Sequence, residues 1–121
     1  MKTHESEEMY LETILLLRQK LGTVRSIDIA EELNYAKSSV SRAVGLLLQK
    51  GFIAIDGAGD ITLTPEGQNK ATGIYERHRI ITKALMTVGA DKELAESNAC
   101  RIEHVISDEM FDLLKNFVEK I

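Results

Sequence analysis

Residues 26–64 read SIDIAEELNYAKSSVSRAVGLLLQKGFIAIDGAGDITLT, and this stretch decides the fold. Ser26 stands before Ile27-Asp28-Ile29-Ala30-Glu31-Glu32-Leu33, which predicts a short helix with Ser26 as its N-cap. Asn34-Tyr35-Ala36 breaks that helix, and a second is predicted from about Ser38 to Gln49, apolar at Val40, Val44, Leu47 and Leu48. Gly51 is placed to end it in the left-handed conformation. Two β-prone runs, Phe52-Ile53-Ala54-Ile55 and Ile61-Thr62-Leu63-Thr64, then flank Asp56-Gly57-Ala58-Gly59-Asp60 and read as a small hairpin.

Working outward, Tyr10, Leu11, Ile14, Leu15 and Leu17 recur at threes and fours, with Glu7, Glu8, Glu12 and Arg18 between them. This predicts an amphipathic helix from about Ser6 to Lys20, ended by Leu21-Gly22-Thr23. Three helices followed by a hairpin outline a winged helix-turn-helix. Downstream, Thr64 as cap and Pro65 at the first position open a long helix with a seam of Ala71, Ile74, Ile81, Leu85 and Val88. A turn near Gly89-Ala90 leads to a helix holding Cys100-Arg101-Ile102-Glu103-His104. Ser107 and Asp108 restart a final helix lined by Phe111, Leu114, Phe117 and Val118. The expected fold class is mainly α: a winged helix-turn-helix over residues 1–66, then a helical domain over residues 67–121.

The 121 residues are 44% hydrophobic but only 5% aromatic, so a core is available while dimerisation across an apolar helix face offers a way to complete it. No run of 18 apolar residues occurs, and Met-Lys-Thr-His-Glu at the start has no signal-peptide pattern. A single cysteine permits no intrachain disulfide. The expected location is therefore the cytoplasm, with no membrane partner.

The net charge of -4 argues against a strongly basic nucleic-acid binder, yet the average hides an asymmetry. Residues 36–50 carry Lys37, Arg42 and Lys50 and no acid, whereas residues 89–121 carry eight acids against four bases. Binding a phosphate backbone needs a positive patch, not a positive protein. Lys37, Ser38, Ser39, Ser41 and Arg42 sit at the start of the second helix of the pair, between positions locked against its neighbour. That division is what a recognition helix requires. Ser38, Ser39 and Ser41 are compact polar groups for phosphates or base edges, Arg42 can reach guanine, and Lys37 neutralises phosphate. The hairpin turn is small enough to approach the duplex, but Asp56 and Asp60 make its tip a poor electrostatic contact. With few bases per reading head, a symmetric dimer on a pseudopalindromic operator is expected.

Cys100, Glu103 and His104 stand at i, i+3 and i+4, so on a helix a thiol, a carboxylate and an imidazole share one face. Those donors together suit a divalent transition ion of intermediate softness. The plainer reading is a buried cysteine with Glu103 and His104 at its wet edge. His78, between Arg77 and Arg79, is a further donor or simply a half-exposed histidine. Met9 and Glu12 share a face at i and i+3, where Met9 otherwise packs in the core and Glu12 is a surface acid.

The chain resembles the iron- and manganese-dependent repressor family, the diphtheria toxin repressor and manganese transport regulator group. The resemblance rests on Glu8-Met9-Tyr10-Leu11 and on residues 99–109, ACRIEHVISDE, with support from Asp28-Ile29-Ala30-Glu31, Ser39-Val40-Ser41, Leu63-Thr64-Pro65-Glu66-Gly67 and His78-Arg79. It implies a homodimer that binds double-stranded operator DNA with a divalent metal as co-repressor, and that represses iron or manganese uptake or homeostasis genes. It also makes residues 67–121 a metal-binding and dimerisation domain. By position, Met9, Cys100, Glu103 and His104 match the sensing site of the iron branch, and His78 matches a ligand used across the family. Glu12 matches a ligand of the manganese branch, which has carboxylates where this chain has Met9 and Cys100. Thr82 and Glu96 replace an acidic and a histidine ligand of the iron branch's ancillary site. The thioether and thiolate favour Fe²⁺ over Mn²⁺, while Co²⁺, Ni²⁺ and Zn²⁺ are expected to bind in vitro.

Two other readings compete. A winged-helix regulator could answer a small molecule, or redox chemistry at Cys100, instead of a metal. A small metallohydrolase could use Glu and His ligands, but the chain has neither an HExxH pattern nor a separate nucleophile and base. It is not expected to be an enzyme.

Overall fold

A computed structural model describes residues 3–121, with side chains from Glu7 onward, so Met1 and Lys2 fall outside the described residues. The elements run α1 (Thr3–Leu21), α2 (Ser26–Leu33), α3 (Lys37–Gln49), β1 (Ile53–Ile55), β2 (Ile61–Leu63), α4 (Pro65–Thr87), α5 (Lys92–Ile102) and α6 (Asp108–Glu119). The fold is mainly helical, a winged helix-turn-helix followed by further helices. It divides into two compact units, Met1–Thr72 and Gly73–Ile121, with the division inside α4.

In the first unit, α1 packs on α2, α3 and β2, and α2 packs on α3. Its interior is built from Leu11 and Ile14 of α1, Ile29 of α2, Val40, Val44 and Leu47 of α3, and Ile53 and Ile61 of the hairpin. Fully burying one such aliphatic side chain contributes about 1.5–3 kcal/mol, which fixes each helix by its apolar stripe. The strands pair antiparallel with Ile53 opposite Leu63 and Ile55 opposite Ile61.

The turns follow local chemistry. Asn34 takes φ 56° at the end of α2, one of the few side chains that tolerates it. Gly51 takes φ 81°, and Gly51 N–H and Phe52 N–H donate to the carbonyls of Leu48 and Leu47. That is a Schellman closure of α3. Thr64 Oγ1 accepts from Gly67 N–H and donates to the Gly51 carbonyl, so one hydroxyl caps α4 and ties it to the end of α3. A Cβ at Gly67 would lie 1.9 Å from the Phe52 carbonyl oxygen, so only glycine allows α4 to start this close to the wing.

The second unit is organised around Ile81, Ala99 and Phe111, with Ile80, Leu85, Ile102, Ile106 and Leu114 packed against them. Asp91 and Ser107 cap α5 and α6 by accepting from Leu94 N–H and Met110 N–H.

Four sequence expectations are corrected. The residue capping α2 is Arg25, not Ser26, because the Asp28 carboxylate accepts the Arg25 N–H and draws the helix start one residue back. Leu48, Val88 and Phe117 are exposed at 46%, 78% and 45%, although each fits an apolar stripe. Periodicity marks a face but not its occupant, and Val88 lies beyond the end of α4. Of the two hairpin acids, Asp60 turns back to Arg18 of α1, while Asp56 stays exposed in the turn. Asp56 Oδ1 accepts from Ala58 N–H and Asp60 N–H, and Asp60 Oδ1 accepts from Val24 N–H and the Arg18 guanidinium. Finally, α5 stops at Ile102, with Glu103 as its C-cap, so His104 lies in the following turn and not on the helix.

Candidate nucleic-acid interface and metal centre

In the first unit, α3 buries Val40, Val44 and Leu47 and exposes Lys37, Ser38, Ser39, Ser41 and Arg42. Ser38, Ser41, Arg42 and Gly45 follow at helical spacing on the side away from the core, and α3 contains no acid. Neither Ala36 nor another side chain caps its start, so its first N–H groups face outward beside Lys37, a favourable setting for phosphate. The third base of the region is engaged. Lys50 donates to Glu7, which also accepts from Lys70 at 2.9 Å. Burial alone would raise the Glu7 carboxyl, but hydrogen bonds and charge from both lysines hold it below the usual carboxylate range. The positive patch of α3 itself is therefore Lys37 and Arg42.

Of the candidate metal ligands, Met9 and Glu12 lie in the first unit, half-buried on α1. The Met9 sulfur accepts a hydrogen bond from the Tyr35 hydroxyl at 3.7 Å, so its thioether has a partner in the turn before α3. His78, Cys100, Glu103 and His104 lie in the second unit. There Glu103 is the centre. It is fully buried, with Oε2 3.4 Å from His78 Nδ1 and Oε1 3.6 Å from His104 Nε2. Among the described residues, neither Glu103 oxygen accepts a hydrogen bond. His78 Nε2 also faces Glu96 Oε2 at 3.8 Å. Cys100 is exposed on α5, which removes the reading of it as a buried core cysteine.

A sealed carboxylate with two imidazoles beside it and no donor is costly unless a cation or proton compensates it. The donor set fits a divalent ion, since carboxylate oxygen and imidazole nitrogen suit Mn, Fe, Co and Zn alike.

Sequence reasoning overlooked Arg77. Its guanidinium donates to the Glu103 and Ile106 carbonyls, each at 3.3 Å, pairs with the Asp108 carboxylate and lies over the Phe111 ring. A base beside His78 was the only signal, and it gave no hint of a contact 26 residues away.

Fold and site together define a winged-helix DNA-binding protein with a candidate metal centre in its helical second unit. Residues 2–59 match the iron dependent repressor N-terminal DNA binding domain, and residues 64–121 match the iron dependent repressor metal binding and dimerisation domain. The chain belongs to this family of metal-dependent transcriptional repressors, which are regulators and not enzymes. It is 33% identical over 118 residues to the uncharacterized HTH-type transcriptional regulator MJ0568 of Methanocaldococcus jannaschii, covering 96% of this chain and 94% of that protein. It is 33% identical over 107 residues to the diphtheria toxin repressor of Corynebacterium diphtheriae, covering 88% of this chain and 47% of the repressor. The manganese regulator SloR matches with a TM-score of 0.83 and 28% identity, over 95% of this chain and 54% of that one. The chain thus spans about half the length of the latter two relatives. No helix among the described residues is long and apolar enough to cross a membrane.

Proposed function

We propose that this chain is a divalent-metal-activated repressor that acts as a homodimer on a pseudopalindromic operator and controls iron or manganese uptake or homeostasis genes in the cytoplasm. The observation that carries the reading is the buried Glu103 carboxylate between His78 and His104. A bound divalent cation supplies the positive charge that this carboxylate otherwise lacks. Met9, Glu12 and Cys100 complete the proposed ligand set on the strength of their positions in the family pattern. Residues 1–66 serve as the reading head and residues 67–121 as the metal-binding and dimerisation domain.

Dimerisation finds support on α6, where Met110, Leu113 and Phe117 are exposed at i, i+3 and i+7 while Phe111 and Val118 point inward. Two reading heads would then meet successive major grooves about 34–36 Å apart. Lys37, Ser38, Ser39, Ser41 and Arg42 are the residues proposed to meet the duplex.

Fe²⁺ is the preferred ion in this reading, because thioether and thiolate are softer than the carboxylates of a manganese site. Anaerobic titration of the wild type and Cys100→Ser with Fe²⁺ and Mn²⁺ tests it. Tighter Fe²⁺ binding that weakens selectively in Cys100→Ser supports the assignment. Equal or tighter Mn²⁺ binding in the wild type, unchanged in Cys100→Ser, overturns it.

A further inference from the structure

We propose that Arg77 is a positioning residue for the metal centre, holding the turn that carries Glu103 and His104. The inference rests on the metal-binding reading of Glu103, but it comes from different atoms. Arg77 and His78 are consecutive on α4 and reach the two ends of the same residue. Arg77 Nη1 holds the Glu103 carbonyl at 3.3 Å, and His78 Nδ1 faces the Glu103 carboxylate at 3.4 Å.

The turn needs such an anchor because α5 stops immediately before it. The last carbonyls of a helix have no partner within the helix, and a basic side chain can take them over. Here one guanidinium serves two carbonyls, those of Glu103 and Ile106, at either side of His104 and Val105. Its second nitrogen pairs with Asp108 in the first turn of α6. The end of α5, the ligand-bearing turn and the start of α6 are therefore fastened to one point of α4. Lysine cannot reproduce this, since an ammonium lacks the planar fork that serves three acceptors from a fixed position.

Asp108 is the part of the cluster that should matter least for the metal. Its side chain is 88% exposed, so its pairing with Arg77 is screened by solvent. The two carbonyl contacts are the ones that set the turn.

Co²⁺ binding followed by visible absorption, with far-ultraviolet circular dichroism on the metal-free proteins, tests the proposal in the full chain. The wild type should bind Co²⁺, and failure there would strike at the metal reading itself, not at Arg77. Arg77→Gln should keep its helical spectrum and lose about 10–100-fold in Co²⁺ affinity, the range for removing an outer support of a metal ligand. Arg77→Lys, kept as the milder change in case Arg77→Gln fails to fold, should also bind at least tenfold more weakly. Asp108→Asn should stay within about twofold of wild type, as expected for an exposed pair. Wild-type affinity in a folded Arg77→Gln or Arg77→Lys would overturn the proposal. So would an equal loss in Asp108→Asn, which would assign the effect to the ion pair instead of the carbonyl anchor.

Discussion

His78 Nδ1 lies 3.4 Å from Glu103 Oε2, and the carboxylate it faces is completely buried without a hydrogen-bond donor among the described residues. Such a group lowers stability when the site is empty and raises affinity for a cation that fills it. Glu103→Gln separates the two effects, because it removes the charge and keeps the shape. The metal-free variant should be more stable than wild type by about 1 kcal/mol or more, because a neutral amide in the same unpartnered site costs less to bury than a carboxylate. Its stabilisation by added Mn²⁺ or Co²⁺ should vanish. Thermal unfolding with and without metal checks both signs.

Gly67→Ala tests how the wing is held to α4. The new methyl would meet backbone, the Phe52 carbonyl oxygen at 1.9 Å, and a carbonyl already bonded to Thr64 N–H cannot move aside cheaply. A loss of about 1–3 kcal/mol or more is expected from urea unfolding.

The chain should lose stability on acidification. Asp60 is held below the usual aspartate range, first by the Val24 N–H and then, against some desolvation, by Arg18. Glu7 is held low despite its burial by Lys50 and Lys70. For a depressed carboxyl the stabilisation is fully present above the unfolded-state value, roughly 4, and fades as pH falls from there through the folded value. Unfolding midpoints should therefore be flat from pH 7 to about 5 and fall below about 4. Asp60→Asn should lower the plateau and make the acid fall shallower.

Lys37→Ala and Arg42→Ala should weaken operator binding in different ways. Lys37 is read as a phosphate contact, so its loss should reduce the slope of log affinity against log salt by about 1 and leave sequence preference intact. Arg42 is read as a base contact, so its loss should cost about 1–3 kcal/mol at one operator position and relax specificity there. Salt titrations on operator and single-substitution duplexes distinguish them.

Much of the reading head was legible because its signals are local. Gly51 and Thr64-Pro65 stop and start helices through their own backbone and hydroxyl chemistry, and the apolar stripe Val40, Val44 and Leu47 orients α3. What the sequence concealed was long-range. Glu7 sits among wet-face acids in the periodic pattern, yet it is buried against Lys50 and Lys70, 43 and 63 residues away. Arg77 gave no sign of its carbonyl contacts, and the end of α5 at Ile102 took His104 off the predicted helix face. Exposed Phe117 fitted its stripe because an apolar face reads the same whether its cover is the chain's own core or a second copy. At the metal centre, residue types and spacing named Glu103, His104 and His78, but only the packing of the second unit showed Glu103 to be sealed.

The central claim is that a divalent metal, acting through the Glu103 site, controls operator binding. Its most direct test is operator affinity measured anaerobically by fluorescence anisotropy, with and without Fe²⁺ or Mn²⁺, for wild type and Glu103→Gln. Metal should tighten wild-type binding about 5–150-fold, the usual span of an allosteric coupling, and leave Glu103→Gln unchanged. Equal wild-type affinity with and without either ion, or an undiminished metal response in Glu103→Gln, would contradict the account.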